Sequence, residues 1–252
     1  MSNGRFKDKN VVVIGGNSGI GLATAIRFAK EGAHVAIIGR NEQTLKSSQK
    51  IIGESTIAIQ AVIANLSEIE TAVIDIRENM GNVDVLFSNA GIGAMVPFSQ
   101  VTEDMWDGIM DVNLKGMYFS TQQIVPLMSK GSSIVLCSSL GAIRSWPGSS
   151  IYSASKAGVN ALGRAFASEL LELGIRVNVI MPGGVDTPII DRSMDAEAAK
   201  KVKKGMAAHA PMQRLAQPDE IANAVLFLSS DEASYMTGTE TIIDGGIVGC
   251  SN

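Results

Sequence analysis

The chain has 252 residues, 46% of them hydrophobic and 18% charged, a balance that excludes a disordered segment and supplies enough apolar surface for a large core. A formal net charge of −4 argues against a nucleic acid or an anionic membrane as partner. Its two cysteines, Cys137 and Cys250, have no C-x-x-C spacing, which leaves neither a disulfide framework nor a thiolate metal site and suits a reducing cytoplasm.

The opening MSNGRFKDKN is too short and polar to read as a signal peptide. No stretch has the length and apolarity of a membrane-spanning helix, and even residues 85–102 are broken by Ser, Asn, Gly and Pro. A soluble, cytoplasmic protein is the expectation. The run VVVIG at 11–15 reads as a buried parallel strand. It enters GGNSGIG, residues 15–21, and then a helix over about 20–31. In that context the glycines let backbone approach a pyrophosphate, and the helix N-terminus offers free N–H groups and a positive dipole. AHVAIIG, residues 33–39, is a second strand, with His34 near its start in a structural role. It ends in Gly39 and Arg40, where an acidic side chain would hold a ribose 2′-hydroxyl; an arginine suits a 2′-phosphate instead.

Helix 42–52, strand 56–62, helix 67–80 and strand 83–87 follow. Alternation with short links predicts an α/β fold, a Rossmann-like doubly wound parallel sheet of about seven strands with helices on both faces. SNAG at 88–91 places small residues at a strand's carboxyl end, where open α/β sheets bind ligands. The next helix, about 106–128, is interrupted near residues 111–113. Asn113 is unfavourable in mid-helix, so its side chain is expected to serve another purpose, and Pro126 predicts a kink or an early end. IRVNVIM at 175–181 is a further strand, ending at Pro182-Gly183-Gly184. Residues 189–210 are weakly patterned and predict a mobile helical flap whose lysines, Lys200, Lys201, Lys203 and Lys204, form a solvated face. A helix from Pro218 to Leu228 and a strand over 239–243 complete one domain spanning 1–252, with no repeat or linker.

The stretch SSLGAIRSWPGSSIYSASK, residues 138–156, carries the chemistry. Tyr152 and Lys156 are four residues apart, so a helix over 152–173 stacks both side chains on one face. A free phenol has a pKa of about 10, and an ammonium beside it is expected to lower that value towards the useful range for acid–base catalysis. Ser139 closes the apolar strand 134–137, and Gly141, Pro147 and Gly148 turn the chain back. A hydroxyl at a strand end and a phenol at a helix start then face one carbonyl oxygen together. No G-x-S-x-G occurs, and neither His34 nor His209 is placed near Ser139, which argues against a serine hydrolase.

Taken together, GGNSGIG, SNAG, Asn113, Ser139, Y-x-x-x-K, PGGVDT and IIDGG resemble the short-chain dehydrogenase/reductase family over about residues 7–248. The resemblance implies a catalytic set of Asn113, Ser139, Tyr152 and Lys156. Tyr152 would exchange the proton, Ser139 would hold the substrate oxygen, Lys156 would bind nicotinamide ribose and depress the phenol pKa, and Asn113 would position a water. It also implies a nicotinamide cofactor; Gly39 and Arg40 make NADP(H) the preferred form, with NAD(H) as the alternative. That cofactor would lie on Gly15, Asn17, Ser18, Gly19, Ile20, Gly21, Arg40, Asn41, Asn65, Leu66, Asn89, Ala90 and Gly91 at the adenosine side. Tyr152, Lys156, Pro182, Gly183, Val185 and Thr187 would serve at the nicotinamide side.

Three positions depart from the family pattern. Ile14 and Ser88 suggest a differently built hydrogen bond between strands one and four, while Asn65 replaces an aspartate that accepts from adenine and retains an acceptor oxygen. The expected activity is a carbonyl reductase or alcohol dehydrogenase acting on a small molecule, with no metal. The alternatives are a 3-oxoacyl-[acyl-carrier-protein] reductase and a catalytically silent dinucleotide-binding sensor. An enoyl reductase of this fold would space its tyrosine and lysine more widely. Substrate choice is expected to lie in residues 93–96, 144–146 and 189–206, and the family's usual assembly is a homotetramer.

Overall fold

Polar residues rarely alternate with apolar ones in the central apolar runs, so those runs are apolar on both sides and need cover on both. The structure, a computed structural model, describes residues 4–93, 95–191 and 195–250. Its strands are β1 (Asn10–Ile14), β2 (His34–Gly39), β3 (Ile57–Gln60), β4 (Val83–Ser88), β5 (Met128–Cys137), β6 (Arg176–Pro182) and β7 (Glu240–Ile243). They form one parallel sheet in the order β3-β2-β1-β4-β5-β6-β7. The chain runs outward from β1 to β3, returns to place β4 on the other side of β1, and continues outward to β7. The crevice between β1 and β4 is therefore the topological switch point where such sheets bind ligands.

The helices are α1 (Gly19–Lys30), α2 (Glu42–Ile52), α3 (Leu66–Met80), α4 (Glu103–Met110), α5 (Gly116–Ile124), α6 (Ser150–Glu169), α7 (Pro188–Asp191), α8 (Ala196–His209) and α9 (Pro218–Ser229). Alternate strand residues go to opposite faces. Val12, Ile14, Ile134 and Leu136 pack with Val73 and Ile76 of α3, Met117 of α5 and Val159 of α6. Val11, Val13, Val135 and Cys137 pack with Phe28 of α1, Leu45 of α2 and Val225 of α9. Cys137 is a buried core residue, and His34 is exposed at the start of its strand.

Three boundaries differ from the sequence expectation. The helix expected to run to residue 128 ends as α5 at Ile124, followed by a 3-10 turn at Val125–Leu127 that contains Pro126. Proline has no N–H to continue the ladder. β5 then starts at Met128 rather than 134, because polar residues 129–133 hide its first half from an apolar pattern. α6 covers Ser150–Glu169 rather than 152–173: the Ile175 N–H donates to the Leu170 carbonyl, and Gly174 takes φ 69° to close the turn.

Two glycines test the packing with one substitution. A Cβ on Gly163 of α6 would stand 2.2 Å from Cγ2 of Val179 on β6, whereas Gly205 of α8 has open space around it. Valine in a strand cannot rotate away freely. Gly163→Ala is expected to lower Tm, the overpacking cost of about 1–3 kcal/mol exceeding the gain in helix propensity of about 1 kcal/mol. Gly205→Ala should raise it by about 2–4 °C. Thermal unfolding of both variants followed by circular dichroism checks the pair; two shifts of the same sign would contradict the packing described.

Candidate active site

The glycine turn between β1 and α1 is shaped for a group that must come close to backbone. Gly15 and Gly19 have φ values of 77° and 52°, which L side chains rarely adopt. A Cβ on Gly21 would stand 2.1 Å from the Gly15 carbonyl oxygen, and one on Gly15 would stand 2.9 Å from Ala90 Cα. Ser18 precedes α1 in an extended conformation, and its side chain makes no cap bond. The first N–H groups of α1, from Gly19, Ile20 and Gly21, are thus left for an anion. A dinucleotide pyrophosphate fits this cradle. The amide of Asn89 donates to the Gly15 carbonyl (3.2 Å), which holds the segment 89–91 against the turn. Thr187 closes the other side, its Cγ2 lying 3.2 Å from where a Gly19 Cβ would stand.

Several adenosine-side candidates already have work to do. The Asn17 amide donates to Thr44 Oγ1 (2.7 Å), and a Cβ branch on Gly39 would meet Asn17 Cγ at 2.7 Å. Asn41 caps α2, accepting from the Thr44 N–H at 2.9 Å. Asn65 caps α3 ahead of Leu66. Its Oδ1 accepts from the Ser67 N–H (3.2 Å) and the Ser67 hydroxyl (2.9 Å), so both lone pairs are taken. The acceptor for adenine expected there is committed to the helix cap. Arg40 is exposed and joins none of the ion pairs among the described residues.

The departures at Ile14 and Ser88 do not build a new side-chain bond. They are register partners across β1 and β4, the contact there is the backbone bond from the Asn89 N–H to the Ile14 carbonyl (3.0 Å), and Ser88 Oγ is buried without a partner among the described residues.

The four catalytic candidates converge at the carboxyl ends of β4 and β5. Ser139 lies two residues past the end of β5 and caps a 3-10 turn, its Oγ accepting from the Gly141 N–H (3.0 Å). A Cβ on Gly141 would lie 3.1 Å from Tyr152 Cε1 and 3.4 Å from Ser139 Oγ, so the glycine keeps the space where hydroxyl and phenol meet. Lys156, one turn after Tyr152 on α6, is buried, and its Nζ donates to the Cys137 carbonyl (2.8 Å). Nζ sits 5.9 Å from the Tyr152 ring centre. Asn113 lies in a π-helical stretch, Asp111–Lys115, between α4 and α5. Its Oδ1 accepts from the Ile92 N–H (2.8 Å), while its Nδ2 donates to the Ile92 carbonyl (2.9 Å) and to Ser155 Oγ (3.1 Å). Its side chain braces the loop after β4 against α6.

Burial pushes the Tyr152 phenol up to about 12, outweighing the lowering effect of the Ser139 hydroxyl. Burial also pushes the Lys156 ammonium down. The expectation that the lysine lowers the phenol is not met in this structure: desolvation of the phenol dominates, and the ammonium stands 5.9 Å from the Tyr152 ring centre. Sequence reading also missed Thr44 and Ser155, which hold Asn17 and Asn113. Their signals were faint: a threonine three residues after a helix-capping asparagine, and a serine three residues after the tyrosine.

Around the mouth, the Val96 N–H donates to the Gly148 carbonyl (2.9 Å), and Trp146 meets His209 edge-on with ring centres 6.5 Å apart. Lys203 of α8 bridges Asp186 (2.9 Å) and Asp191 (2.8 Å), tying the flap to the loop after β6. Residue 94 of the expected pocket and residues 192–194 of the flap lie outside the described residues.

The phenol can be titrated directly. Phenolate absorbance of wild type minus Tyr152→Phe, without cofactor, should show one group ionising above pH 10, towards about 12. An ionisation near neutrality would mean that Lys156 and not burial governs the phenol.

Comparison with known proteins agrees with this geometry. A family profile described as enoyl-(acyl carrier protein) reductase matches residues 14–248. The chain is 36% identical over 249 residues to the 3-oxoacyl-[acyl-carrier-protein] reductase FabG of Thermotoga maritima, covering 97% of this chain and 99% of that protein. It is 35% identical over 253 residues to levodione reductase of Leifsonia aquatica, covering 96% and 95%. A crystal structure of levodione reductase superposes with a TM-score of 0.91 at 34% identity, over 96% of this chain and 98% of that one. Ligand-free aldohexose dehydrogenase of Thermoplasma acidophilum superposes with a TM-score of 0.88 at 31% identity, over 100% and 99%. With a glycine cradle at the switch point and a serine, tyrosine and lysine gathered at its edge, the chain belongs to the short-chain dehydrogenase/reductase family of NAD(P)(H)-binding oxidoreductases.

Proposed function

We propose that the protein interconverts a ketone and a secondary alcohol, using NADP(H) in preference to NAD(H). The observation that carries this reading is the meeting of Ser139 Oγ and the Tyr152 ring over Gly141, beside a buried ammonium and next to the glycine turn. The nicotinamide supplies the hydride in reduction and takes it in oxidation. The turn 15–21 and Asn89, Ala90 and Gly91 hold the pyrophosphate and adenosine side, with Pro182, Gly183, Val185 and Thr187 at the other end. Lys156 keeps N–H donors beyond the one given to Cys137, and these suit ribose hydroxyls.

Ser139 Oγ donates to the carbonyl oxygen, and the Tyr152 hydroxyl gives that oxygen a proton as the alcohol forms. In oxidation the phenolate takes it back. A phenol with a raised pKa is a ready store of that proton at neutral pH and a strong base once ionised. The spacing of Tyr152 and Lys156, with three residues between them, favours carbonyl over enoyl reduction within the family. Acyl-carrier-protein-linked ketones are a second reading, supported by the likeness to FabG and by exposed Lys200, Lys201 and Lys204 on α8. A homotetramer in the cytoplasm, each copy one domain, is part of the same proposal.

Tyr152→Phe keeps the ring and removes the proton. Cofactor should still bind, while turnover of a reactive ketone falls by about 10²–10⁴-fold. Retention of more than about a tenth of wild-type kcat would remove Tyr152 from this role, whereas no turnover of any ketone by wild type would favour a silent dinucleotide sensor.

Cofactor choice rests on Arg40 and on the missing acid at Gly39. A charge-assisted hydrogen bond is worth roughly 1.5–3 kcal/mol before solvent screening, about 10- to 150-fold in affinity. Because Arg40 is exposed, Arg40→Ala should cost NADPH less than this and leave NADH almost unchanged. Gly39→Asp also displaces Asn17 from its place against Gly39, so it perturbs the glycine turn as well as the charge. The measurement is kcat/KM with each cofactor; a wild-type preference for NADH, or equal losses in Arg40→Ala, would overturn the NADP(H) assignment.

A further inference from the structure

Resting on the carbonyl-reductase reading above, we propose that Ser155 is a positioning residue for the proton transfer: it fixes the turn of α6 that carries Tyr152 by tying it to Asn113. Both Ser155 and Asn113 are 0% exposed. Ser155 Oγ donates to the Tyr152 carbonyl (2.7 Å) and accepts from Asn113 Nδ2 (3.1 Å). A helical serine often bonds back to a carbonyl three or four residues earlier, which by itself affects only its own helix. Here the same oxygen also takes a donor from another helical segment, so one hydroxyl joins two elements.

The asparagine it meets is held from both sides. Asn113 Oδ1 accepts from the Ile92 N–H, and Nδ2 donates to the Ile92 carbonyl as well as to Ser155. A carboxamide has two N–H hydrogens, so both are used, and Ser155 is the partner of Asn113 on α6 among the described residues. The backbone that presents Asn113 is π-helical, with the Gly116 N–H reaching back five residues to the Asp111 carbonyl. Such single turns are rare, and this one is seated on α6 at two points. Ser155 takes the Asn113 amide, and Gly158 makes room for Leu114: a Cβ there would stand 2.8 Å from Leu114 Cδ1. Gly91 completes the cluster, since a Cβ on it would lie 3.3 Å from both Asn113 Oδ1 and Lys156 Nζ. The segment after β4, the π-helical turn and the start of α6 therefore meet around Ser155.

Removing this hydroxyl leaves one Asn113 N–H buried without a partner and releases the Tyr152 turn from the π-helical turn. Lys156 keeps its own anchors, the Cys137 carbonyl and the Ser138 hydroxyl. The glycine turn at the cofactor is not touched. A small misplacement of a reacting group costs rate more than it costs binding. The loss is therefore expected in kcat.

The test uses the full chain and a reactive ketone. In Ser155→Ala, kcat should fall about ten- to a hundredfold, while the Kd of the oxidised cofactor, measured by calorimetry, changes less than about threefold. Ser120→Ala is the control. It removes another buried helical hydroxyl, whose single bond among the described residues is to the Met117 carbonyl (3.2 Å), and should leave kcat within about twofold. In an Asn113→Ala background, adding Ser155→Ala should cost less than about twofold more, because the tie is already cut. Full additivity of the two losses, or an unchanged kcat in Ser155→Ala, would overturn the proposal. Hydrogen exchange reads the tie without turnover. Exchange over residues 89–93, which include the Ile92 N–H held by Asn113, should quicken in Ser155→Ala and not in Ser120→Ala. Unaltered exchange there would overturn the proposal even if kcat fell, as would a quickening spread evenly over the chain. Local quickening with no turnover of any ketone by wild type would uphold the tie and sink the carbonyl-reductase reading. Wild-type turnover without local quickening would sink the proposal alone.

Discussion

A lysine ammonium taken out of water must find hydrogen-bond partners, and here that demand organises the site. Lys156 is 4% exposed, and its Nζ donates to the Cys137 carbonyl at the end of β5. Leaving it unpaired there would cost far more than the bond gains. In the reverse sense, the Ser138 hydroxyl donates to the Lys156 carbonyl (3.0 Å). These two bonds staple one turn of α6 to the end of one strand. Tyr152 lies one turn earlier on the helix and Ser139 one residue further along the chain, so the staple sets both reacting groups at once.

The second constraint is the close passage of backbone at the switch point. Gly15, Gly21 and Ala90 approach one another so nearly that a side chain at either glycine would collide with main chain. Bonds from Asn89 to the Gly15 carbonyl and to the Ile14 carbonyl hold β4's exit against the turn. Asn113 extends the same scaffold, clasping Ile92 on one side and Ser155 on the other. The cofactor end and the proton-transfer end are therefore braced through one run of short contacts rather than through flexible loops. The buried Ser88 hydroxyl beneath it has no hydrogen-bond partner among the described residues and is a polar cost the scaffold carries.

Much of this was legible along the chain because its causes are local. Alternating apolar runs and helical segments define the doubly wound sheet, since burial on both faces calls for near-continuous apolar runs in its central strands. The glycines at 15, 19 and 21 announce a tight turn, as only glycine takes the positive φ at 15 and 19 or tolerates the contact at 21. The interval between Tyr152 and Lys156 states that they share a helix face. Element ends were less legible: the polar first half of β5 is held by Met128 opposite Val83 and by the Ser132 hydroxyl donating to the Val83 carbonyl, which no local pattern encodes.

By itself, then, the sequence determined the order of elements, the glycine cradle, and the residues that bear the chemistry. Tertiary structure alone decided how those residues are used. Burial of the Tyr152 phenol turns its expected lowering into a rise, because desolvation depends on what surrounds a group rather than on its neighbours in the chain. Asn65 was read as an acceptor for adenine and became a helix cap, since its oxygen has only two lone pairs and Ser67 takes both. Trp146 stands edge-on to His209 at the end of α8, 63 positions further along the chain, a contact that only the packing of these two segments against each other creates.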